Sequence, residues 1–290
     1  MGCINEITGH TKLTGLLGSP VAHSKSPLMH NEAFRLLNLD YVYLCFDVPE
    51  NNLKTAFEGL KKLNVAGFNC TMPDKTLMCQ LVDELSPAAR MIGAVNTVVN
   101  ANGKFVGHNT DGIGYIKSLQ NFGHEIKNQK MTLLGAGGAA SSICVQAALD
   151  GARAIDIFSI RDAFWDKAEK MVADINSETG CTVNLFEFGN DDVLANSILT
   201  SNILTNATSV GMAPNTDNCL IHDANVLHKN LVVSDIIYNP LETKLYKMAK
   251  ENGCDVFNGL YMLLYQGAEA FKLWTGHEMP TDIIKKMYFD

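Results

Sequence analysis

The chain has 290 residues, of which 47% are hydrophobic, so it is long enough for about two domains with sizeable buried cores. Its 23 Lys and Arg residues against 31 Asp and Glu residues give a net charge of −8, which argues against nucleic acid as the main partner. The eight cysteines are scattered, with no Cys-x-x-Cys pair and no Cys/His cluster, which predicts reduced thiols rather than disulfides or a metal site.

Strands and helices alternate along the whole chain, which predicts an α/β fold with mostly parallel sheets. In the first half, strands are predicted at residues 13–18, 41–48, 66–71, 95–100 and 105–108. The last two flank Ala101-Asn102-Gly103-Lys104, a sequence typical of a hairpin turn. Helices are predicted from Ser26-Pro27, with Ser26 as the N-cap, and over residues 51–63 and 110–122. The helix at 51–63 has Leu53, Phe57 and Leu60 on one face.

In the second half, strands are predicted at residues 131–134, 154–159, 183–188, 203–206 and 232–235, and helices at 259–275 and 281–288. The first of these strands is followed by Gly135-Ala136-Gly137-Gly138-Ala139-Ala140 and then by a run of small residues. A strand, a glycine turn and a helix form the phosphate cradle of a dinucleotide-binding fold. Gly135 allows the tight turn, Gly137 lets the backbone approach a pyrophosphate, and the helix that opens at Gly138 directs N–H groups at the anion. Alone, the pattern is weak evidence for cofactor binding, because a glycine-rich turn between a strand and a helix can also serve only to pack them together.

The glycine turn lies in the middle of the chain, so another domain is expected before it. We expect an N-terminal α/β substrate and catalytic domain over residues 1–112, completed by C-terminal helices over 259–290. A Rossmann-type dinucleotide-binding domain is expected over residues 113–258. The cleft between these two lobes is the expected active site.

Polar residues of the first lobe fall at predicted turns, where they could meet a buried ligand. Ser24 and Ser26 offer two hydroxyls at a helix N-terminus, which suits a carboxylate. Lys75 comes just after a strand end and a proline, and Asp111 comes just before a helix. Each of these features alone is more often structural, because Ser26 and Asp111 can simply cap helices and a lone lysine is usually a solvated surface charge.

Together, the polar segments and the glycine turn resemble the shikimate dehydrogenase family, and in particular its quinate/shikimate dehydrogenase branch. The resemblance covers nearly the whole chain. The matching stretches are GSPVAHSKSP at 18–27, NCTMPDK at 69–75, GAVNT at 93–97, NTDG at 109–112, GAGGAA at 135–140, NATSVGM at 206–212, and residues 258–268. The resemblance implies an oxidoreductase of the shikimate (aromatic amino acid biosynthesis) or quinate pathway. Such an enzyme oxidises the C3 hydroxyl of shikimate, and of quinate as a second substrate, to a ketone with NAD(P).

The resemblance also implies the roles of individual residues. Lys75 and Asp111 match the catalytic pair, since the hydroxyl proton must leave to a positioned base as hydride departs. The substrate-binding positions are Ser24, Ser26, Thr71, Asn96, Tyr238 and Gln266. The cofactor-binding positions are Gly135, Ala136, Gly137, Gly138, Ala139, Ser159, Arg161, Asp162, Asn206, Thr208 and Gly259. No metal ligand is implied.

The choice of cofactor is inferred from Ser159-Ile160-Arg161-Asp162, after the second strand of the cofactor domain. The NADP-specific branch of the family usually has Asn-Arg-Thr here, and its arginine clamps the 2′-phosphate. Ile160 replaces that arginine, while Asp162 could accept hydrogen bonds from the ribose and would repel a phosphate. We therefore expect NAD as the preferred cofactor, with NADP tolerated if Arg161 reaches the phosphate. The alternative is that Arg161 and Asp162 form a surface pair without a role in recognition.

Two other functions stay open. The chain could be another dehydrogenase of the same fold superfamily, or a catalytically inactive protein that senses nucleotide or shikimate-type metabolites. Retention of Ser24, Ser26, Lys75 and Asp111 counts against both. Asp74 departs from the family pattern, and a carboxylate beside Lys75 would favour the protonated lysine unless it points to solvent.

The expected partner is a small-molecule substrate, without nucleic acid or a membrane. The most apolar late stretch, residues 260–274, is interrupted by Gln266, Glu269 and Lys272 and is too short to span a bilayer. The N-terminal residues contain no apolar signal region. These features predict a cytoplasmic protein, which we expect to be a monomer or a homodimer.

Overall fold

The computed structural model describes residues 7–289. One of the eight cysteines, Cys3, and the first residues of the predicted signal-free N-terminus lie outside the described residues. The described chain packs as two compact units. One contains the residues up to Thr110 and those from Leu264 onward, and the other is Asp111–Leu263. The first unit is therefore assembled from two separate stretches of sequence.

The first unit is built on a mixed sheet of six strands. They are β1 (Lys12–Gly18), β2 (Tyr41–Asp47), β3 (Gly67–Cys70), β4 (Glu84–Leu85), β5 (Thr97–Ala101) and β6 (Lys104–His108). Their order across the sheet is β2-β1-β3-β5-β6-β4. Strands β1, β2 and β3 are parallel, whereas β5 runs antiparallel to both of its neighbours, β3 and β6. The loops after β1, β3 and β6 and the loop before β5 therefore lie along one side of the sheet, which we call the loop edge.

The second unit is built on a sheet of six parallel strands. They are β7 (Lys130–Leu134), β8 (Ala154–Ser159), β9 (Thr182–Glu187), β10 (Ile203–Asn206), β11 (Val232–Asp235) and β12 (Asp255–Asn258). Their order is β9-β8-β7-β10-β11-β12. The strands after β7 are thus added first on one side of it and then, from β10 onward, on the other side, so the strand order reverses between β7 and β10. Open parallel sheets bind ligands in the crevice outside the carboxyl ends of the strands at such a reversal, and this strand order is that of dinucleotide-binding folds.

Eleven α-helices connect the strands over the described residues. They are α1 (Ser26–Leu36), α2 (Leu53–Lys62), α3 (Lys75–Leu81), α4 (Pro87–Ile92), α5 (Asp111–Asn121), α6 (Gly138–Leu149), α7 (Trp165–Glu178), α8 (Asp191–Leu199), α9 (Lys244–Glu251), α10 (Leu260–Thr275) and α11 (Thr281–Tyr288). Short 3₁₀ helices lie at Glu50–Asn52 and Ala224–Val226. The predicted α/β fold is confirmed.

The core of each unit lies between its sheet and its helices. In the first unit, Leu53, Phe57 and Leu60 of α2 are buried as the periodicity predicts. The ring of Phe57 meets the rings of Phe68 and Phe105 edge-on, at centroid distances of 5.9 and 5.6 Å. Burial of these side chains removes apolar surface from water and holds α2 against the sheet.

Two local predictions have different outcomes. The hairpin is confirmed: β5 and β6 pair antiparallel, and Asn102 and Gly103 take φ values of 56° and 91°, as a two-residue hairpin turn requires. The prediction of Ser26 as an N-cap is wrong, because α1 starts at Ser26 and Lys25 occupies the cap position. The Ser24 hydroxyl instead accepts a hydrogen bond of 3.2 Å from the Ser26 N–H.

Candidate functional site

Five of the predicted residues of the first unit lie on the loop edge. Ser24 and Ser26 follow β1, Thr71 follows β3, Lys75 begins α3, and Asn96 precedes β5. The backbone ties these segments together. The N–H of Thr71 donates to the Leu17 C=O at 2.9 Å, and the N–H of Cys70 donates to the Asn96 C=O at 2.8 Å. The sheet therefore brings these five residues to adjacent strand ends.

A buried hydrogen-bond network lies beneath the loop edge. The Tyr43 hydroxyl donates to Asn69 Oδ1 at 2.8 Å, and Asn69 Nδ2 donates to Thr97 Oγ1 at 3.0 Å. Asn96 Oδ1 accepts from the Thr97 hydroxyl at 3.0 Å and from the Thr110 N–H at 2.8 Å. All five of these residues are at most 6% exposed. Buried polar groups that satisfy one another in this way fix the positions of the segments that carry them.

The network contains Asn96 and reaches a second predicted substrate-binding residue, Ser26. Burial raises the pKa of the Tyr43 phenol well above its usual value, and a hydrogen bond with Ser26 works against that rise. Tyr43 therefore stays neutral, and its phenol lies within hydrogen-bond reach of Ser26. Sequence analysis misses Tyr43, because an aromatic residue in a strand is typical of an ordinary core position.

Asp74 is buried next to Lys75. It is 0% exposed, and among residues 7–289 neither of its carboxyl oxygens has a hydrogen-bond partner. Burial, and to a lesser extent the nearby Glu50 carboxylate, raises the pKa of Asp74 to about 6. Asp74 thus does not point to solvent. The neighbouring Lys75 is partly buried, and its C=O accepts a hydrogen bond of 2.8 Å from the Val95 N–H.

The other predicted substrate and catalytic residues lie elsewhere in the chain. Gln266 is on α10, and the next residue, Gly267, lies so close to α1 that a Cβ there would be 2.1 Å from Met29 Cε. Asp111 is the first residue of α5 and belongs to the second unit. Tyr238 follows β11 in the same unit, and 47% of it is exposed.

In the second unit, the glycine turn lies at the reversal point of the sheet, between β7 and α6. Gly135 has a φ of +106°, and a Cβ there would lie 3.0 Å from Thr208 Cγ2, so a side chain would strain the turn. Gly137 and Gly138 differ, because a Cβ at either position would meet no atom within 4 Å. Open space therefore lies in front of the first N–H groups of α6, where a pyrophosphate would be bound. The residues present fit a dinucleotide.

The loop after β10 forms another wall of this crevice. Asn206 Oδ1 accepts from the Thr208 N–H at 3.1 Å and from the Thr208 hydroxyl at 2.7 Å. Asn206 Nδ2 donates to Asp235 Oδ1 at 3.1 Å. These bonds give Asn206 a clear structural role, which is to shape the loop. Gly259 also has a packing role, since a Cβ there would lie 1.8 Å from the Ile236 C=O oxygen.

The segment after β8 carries a cluster of exposed charges. The Arg161 guanidinium lies over the Trp165 ring at 4.6 Å, and its Nε is 3.4 Å from Glu187 Oε2. Asp162 Oδ1 instead accepts a hydrogen bond of 2.9 Å from the Phe164 N–H. The expected pairing of Arg161 with Asp162 is therefore wrong, because the arginine pairs with Glu187. A role of these residues in cofactor recognition stays a prediction. Sequence analysis misses Glu187, which the parallel pairing of β8 and β9 places beside Ser159.

Two kinds of feature are absent from residues 7–289. None of the described helices is both long and apolar enough to cross a membrane. Within the same residues, no group of three or more His, Cys, Asp or Glu side chains is arranged to hold a metal ion.

Comparisons with known proteins connect this geometry to a family. The profile of the shikimate dehydrogenase substrate binding domain matches residues 16–98, and that of the shikimate 5′-dehydrogenase C-terminal domain matches residues 259–286. The chain is 50% identical over 284 residues to "Shikimate dehydrogenase (NADP(+))" of Listeria monocytogenes serotype 4b, covering 98% of each chain. It is 42% identical to "Quinate/shikimate dehydrogenase" of Escherichia coli SMS-3-5, covering 97% of this chain and 98% of the relative. A crystal structure of shikimate 5-dehydrogenase from Listeria monocytogenes with shikimate and NAD is also 50% identical. It superimposes with a TM-score of 0.95 over 98% of each chain.

Proposed function

The chain belongs to the shikimate dehydrogenase family and is an oxidoreductase, and we propose that it reversibly oxidises the C3 hydroxyl of shikimate to a ketone. The observation that carries this proposal is the whole-chain similarity to a crystallised relative that holds both shikimate and NAD. The glycine turn at the reversal point of the second sheet supports the same reading, because it fits a dinucleotide.

We assign the substrate to the first domain and the cofactor to the second. The proposed domain bounds are residues 1–112 completed by 259–290 for the first and residues 113–258 for the second, whereas the two compact units divide at Thr110 and Leu264. The loop edge supports the first assignment, since its hydroxyl and amide groups suit the carboxylate and ring hydroxyls of shikimate. Ser24, Ser26, Thr71, Asn96 and Gln266 are the proposed contacts of the first domain. Tyr238 is a further proposed contact, contributed by the second.

Lys75 is the proposed proton-transfer group. The C3 hydroxyl is not acidic near neutral pH, so a base must accept its proton as hydride leaves the carbon. In the reverse direction, the ammonium group of Lys75 donates a proton to the oxygen of the ketone. When bound, the nicotinamide supplies the hydride acceptor in one direction and the hydride donor in the other. Asp111 is the second proposed catalytic residue, from its match to the family motif.

We propose NAD as the preferred cofactor, with NADP tolerated. The turn 135–139 would hold the pyrophosphate, and Ser159 to Asp162 would lie beside the adenosine ribose. Ile160 is 61% exposed at the position where an arginine would bind a 2′-phosphate. Arg161 is paired with Glu187, and Asp162 adds a negative charge, so a 2′-phosphate would find little positive charge free to bind it.

Quinate is the second candidate substrate, favoured by the 42% identity to the quinate/shikimate dehydrogenase of Escherichia coli. The deciding experiment is a two-by-two assay of shikimate and quinate against NAD and NADP. Shikimate with NAD is expected to give the highest kcat/KM. Absence of turnover in all four combinations would contradict the proposal and favour a metabolite-sensing protein. A higher kcat/KM with NADP than with NAD would contradict only the cofactor preference.

We further propose that the protein acts in the cytoplasm as a monomer or a homodimer. The seven cysteines among residues 7–289 are all free, which suits a reducing compartment. Light scattering after gel filtration measures the oligomeric state directly, and a mass above that of a dimer would contradict the proposal.

A further inference from the structure

We propose that Glu187 determines cofactor choice by engaging the Arg161 guanidinium, which would otherwise be free to bind a 2′-phosphate. The inference rests on the proposed function, because it takes the carboxyl end of β8 as the position of the adenosine ribose. It goes beyond the proposed function by assigning a role in cofactor choice to Glu187 of β9, which lies outside the segment that the family motif covers.

The geometry of the second sheet brings Glu187 to this position. Strands β8 and β9 are parallel, with Ser159 opposite Glu187, so both strands end at the same level. The Phe188 N–H donates to the Ser159 C=O at 2.9 Å, which fixes the two chain ends against each other. A side chain at position 187 therefore reaches the segment that follows Ser159.

Arg161 is held from two sides. Its guanidinium lies over the Trp165 ring at 4.6 Å, and its Nε is 3.4 Å from Glu187 Oε2. Trp165 is 5% exposed and cannot move easily, whereas the side chains of Arg161 and Glu187 are 62% and 55% exposed. The stacking contact can persist while the guanidinium changes partner. The ion pair is therefore the contact that a phosphate would have to replace.

The charges of the cluster also disfavour a phosphate. Arg161 contributes one positive charge, and Asp162 and Glu187 contribute one negative charge each. A 2′-phosphate that bound the Arg161 guanidinium would bring further negative charge to the cluster. It would also leave the Glu187 carboxylate unpaired next to the phosphate. Asp162 differs from Glu187, because it accepts a hydrogen bond from the Phe164 N–H and so has a second, structural role at the start of α7.

The test is a double-mutant cycle in which cofactor binding, and not turnover, is measured. Isothermal titration calorimetry gives the Kd of NAD⁺ and of NADP⁺ for the full-length wild type, Glu187→Gln, Arg161→Ala and the double variant. Glu187→Gln keeps the shape of the side chain and removes its charge. The matched control is Glu251→Gln, which removes an exposed carboxylate from the end of α9, before β12 and thus toward the opposite edge of the sheet.

In the wild-type background, Glu187→Gln is expected to tighten NADP⁺ binding about fivefold and to change the Kd of NAD⁺ by less than about twofold. In the Arg161→Ala background, the same substitution is expected to change NADP⁺ binding by less than about twofold, since no guanidinium remains to be freed. Glu251→Gln is expected to leave both constants unchanged.

Three results would contradict the inference. No gain in NADP⁺ affinity for Glu187→Gln would mean that Arg161 is not restrained by this contact. An equal gain in both backgrounds would show that Glu187 acts through its own charge and not through Arg161. The same gain for Glu251→Gln would show an effect of net charge alone. Failure of the wild type to bind either cofactor would be a different outcome, because it would contradict the proposed function as well.

Discussion

The two units hold their polar edges by different means. At the loop edge of the first unit, Tyr43, Asn69 and Thr97 are buried and bonded to one another. At the carboxyl edge of the second sheet, Arg161 and Glu187 meet as an exposed ion pair. Breaking a buried hydrogen bond leaves a desolvated group without a partner, whereas an exposed ion pair contributes little. Substitutions in the buried network of the first edge should therefore cost stability, and substitutions at the exposed ion pair of the second edge should change recognition alone.

The largest expected effect is on catalysis at the loop edge. Lys75→Ala should lower kcat for shikimate oxidation about 100- to 10,000-fold, because no positioned group remains to accept the hydroxyl proton. The melting temperature should stay near that of the wild type, since the Lys75 side chain is only partly buried. Steady-state kinetics and thermal melts measure the two effects separately.

Lys54→Ala is the matched control for Lys75, because Lys54 is an exposed lysine on α2. It should leave kcat unchanged. A Lys75→Ala variant that kept near-normal kcat would remove Lys75 from the mechanism.

The second largest effect tests the buried network. Asn69→Ala should lower the free energy of unfolding by about 2–4 kcal/mol, because it removes the buried hydrogen bonds that Asn69 makes with the Tyr43 and Thr97 hydroxyls. Urea denaturation measures the change. Asn196→Ala, on an exposed face of α8, should cost less than about 0.5 kcal/mol. Equal losses of stability at the two positions would show that the burial of Asn69 and its hydrogen bonds does not contribute to stability.

A smaller effect concerns Asp74, the buried carboxyl group that lacks a partner. Because burial raises its pKa to about 6, the folded state favours the protonated form. Its stabilising contribution is therefore complete below about pH 4 and is lost as the pH rises through 6. Asp74→Asn, which stays neutral, should gain about 1–2 kcal/mol of stability relative to the wild type between pH 4 and pH 8, after allowance for solvent screening.

Denaturation at the two pH values measures this difference, and Asp217→Asn is the matched control. Asp217 is exposed, so its substitution should give the same stability difference from the wild type at both pH values. A pH-independent effect of Asp74→Asn would mean that the carboxyl titrates at its ordinary pKa.

The smallest effect is expected at the exposed edge. Ile160→Arg should raise the ratio of kcat/KM for NADP to that for NAD about fivefold, because it supplies a guanidinium for the 2′-phosphate. Stability should be unchanged, since Ile160 is 61% exposed. Ile283→Arg introduces the same charge at another exposed isoleucine, on α11, and should leave the ratio unaltered. A loss of stability with Ile160→Arg would mean that substitutions at this exposed edge affect folding as well as cofactor recognition.

Much of the fold can be predicted from local sequence. Runs of β-branched and apolar residues locate β8, β10 and β11 at the residues where the structure has them. Sequence analysis does not locate β12 or the two-residue β4, because such short strands are defined by the neighbours with which they pair. The cap at Ser26 is predicted wrongly for a related reason, since the residue at which the helix begins depends on the backbone conformation, which makes Lys25 the cap and Ser26 the first helical residue.

Some features of the candidate site can likewise be predicted from local sequence, and others cannot. Glycines in a strand–turn–helix segment can be recognised because their spacing is local, and Gly135 has the positive φ that the turn needs. The contact between Arg161 and Glu187 joins residues 26 positions apart and depends on the register of two strands. The network through Tyr43 and Asn69 spans a similar separation. No local pattern marks such contacts, so they appear only in three dimensions.

The discontinuous first unit has a consequence for synthesis on the ribosome. Residues 111–263 contain every strand of the second sheet, so this unit forms from one continuous stretch of chain. The first unit starts earlier in the chain, yet it lacks Trp274 until the whole of the second unit has been made. Trp274 donates its indole N–H to the Val98 C=O at 3.0 Å and packs against Gly67 in the core of the first sheet. The stretch that is made first therefore depends on residues made after the second unit, and its core stays unfilled until they are available.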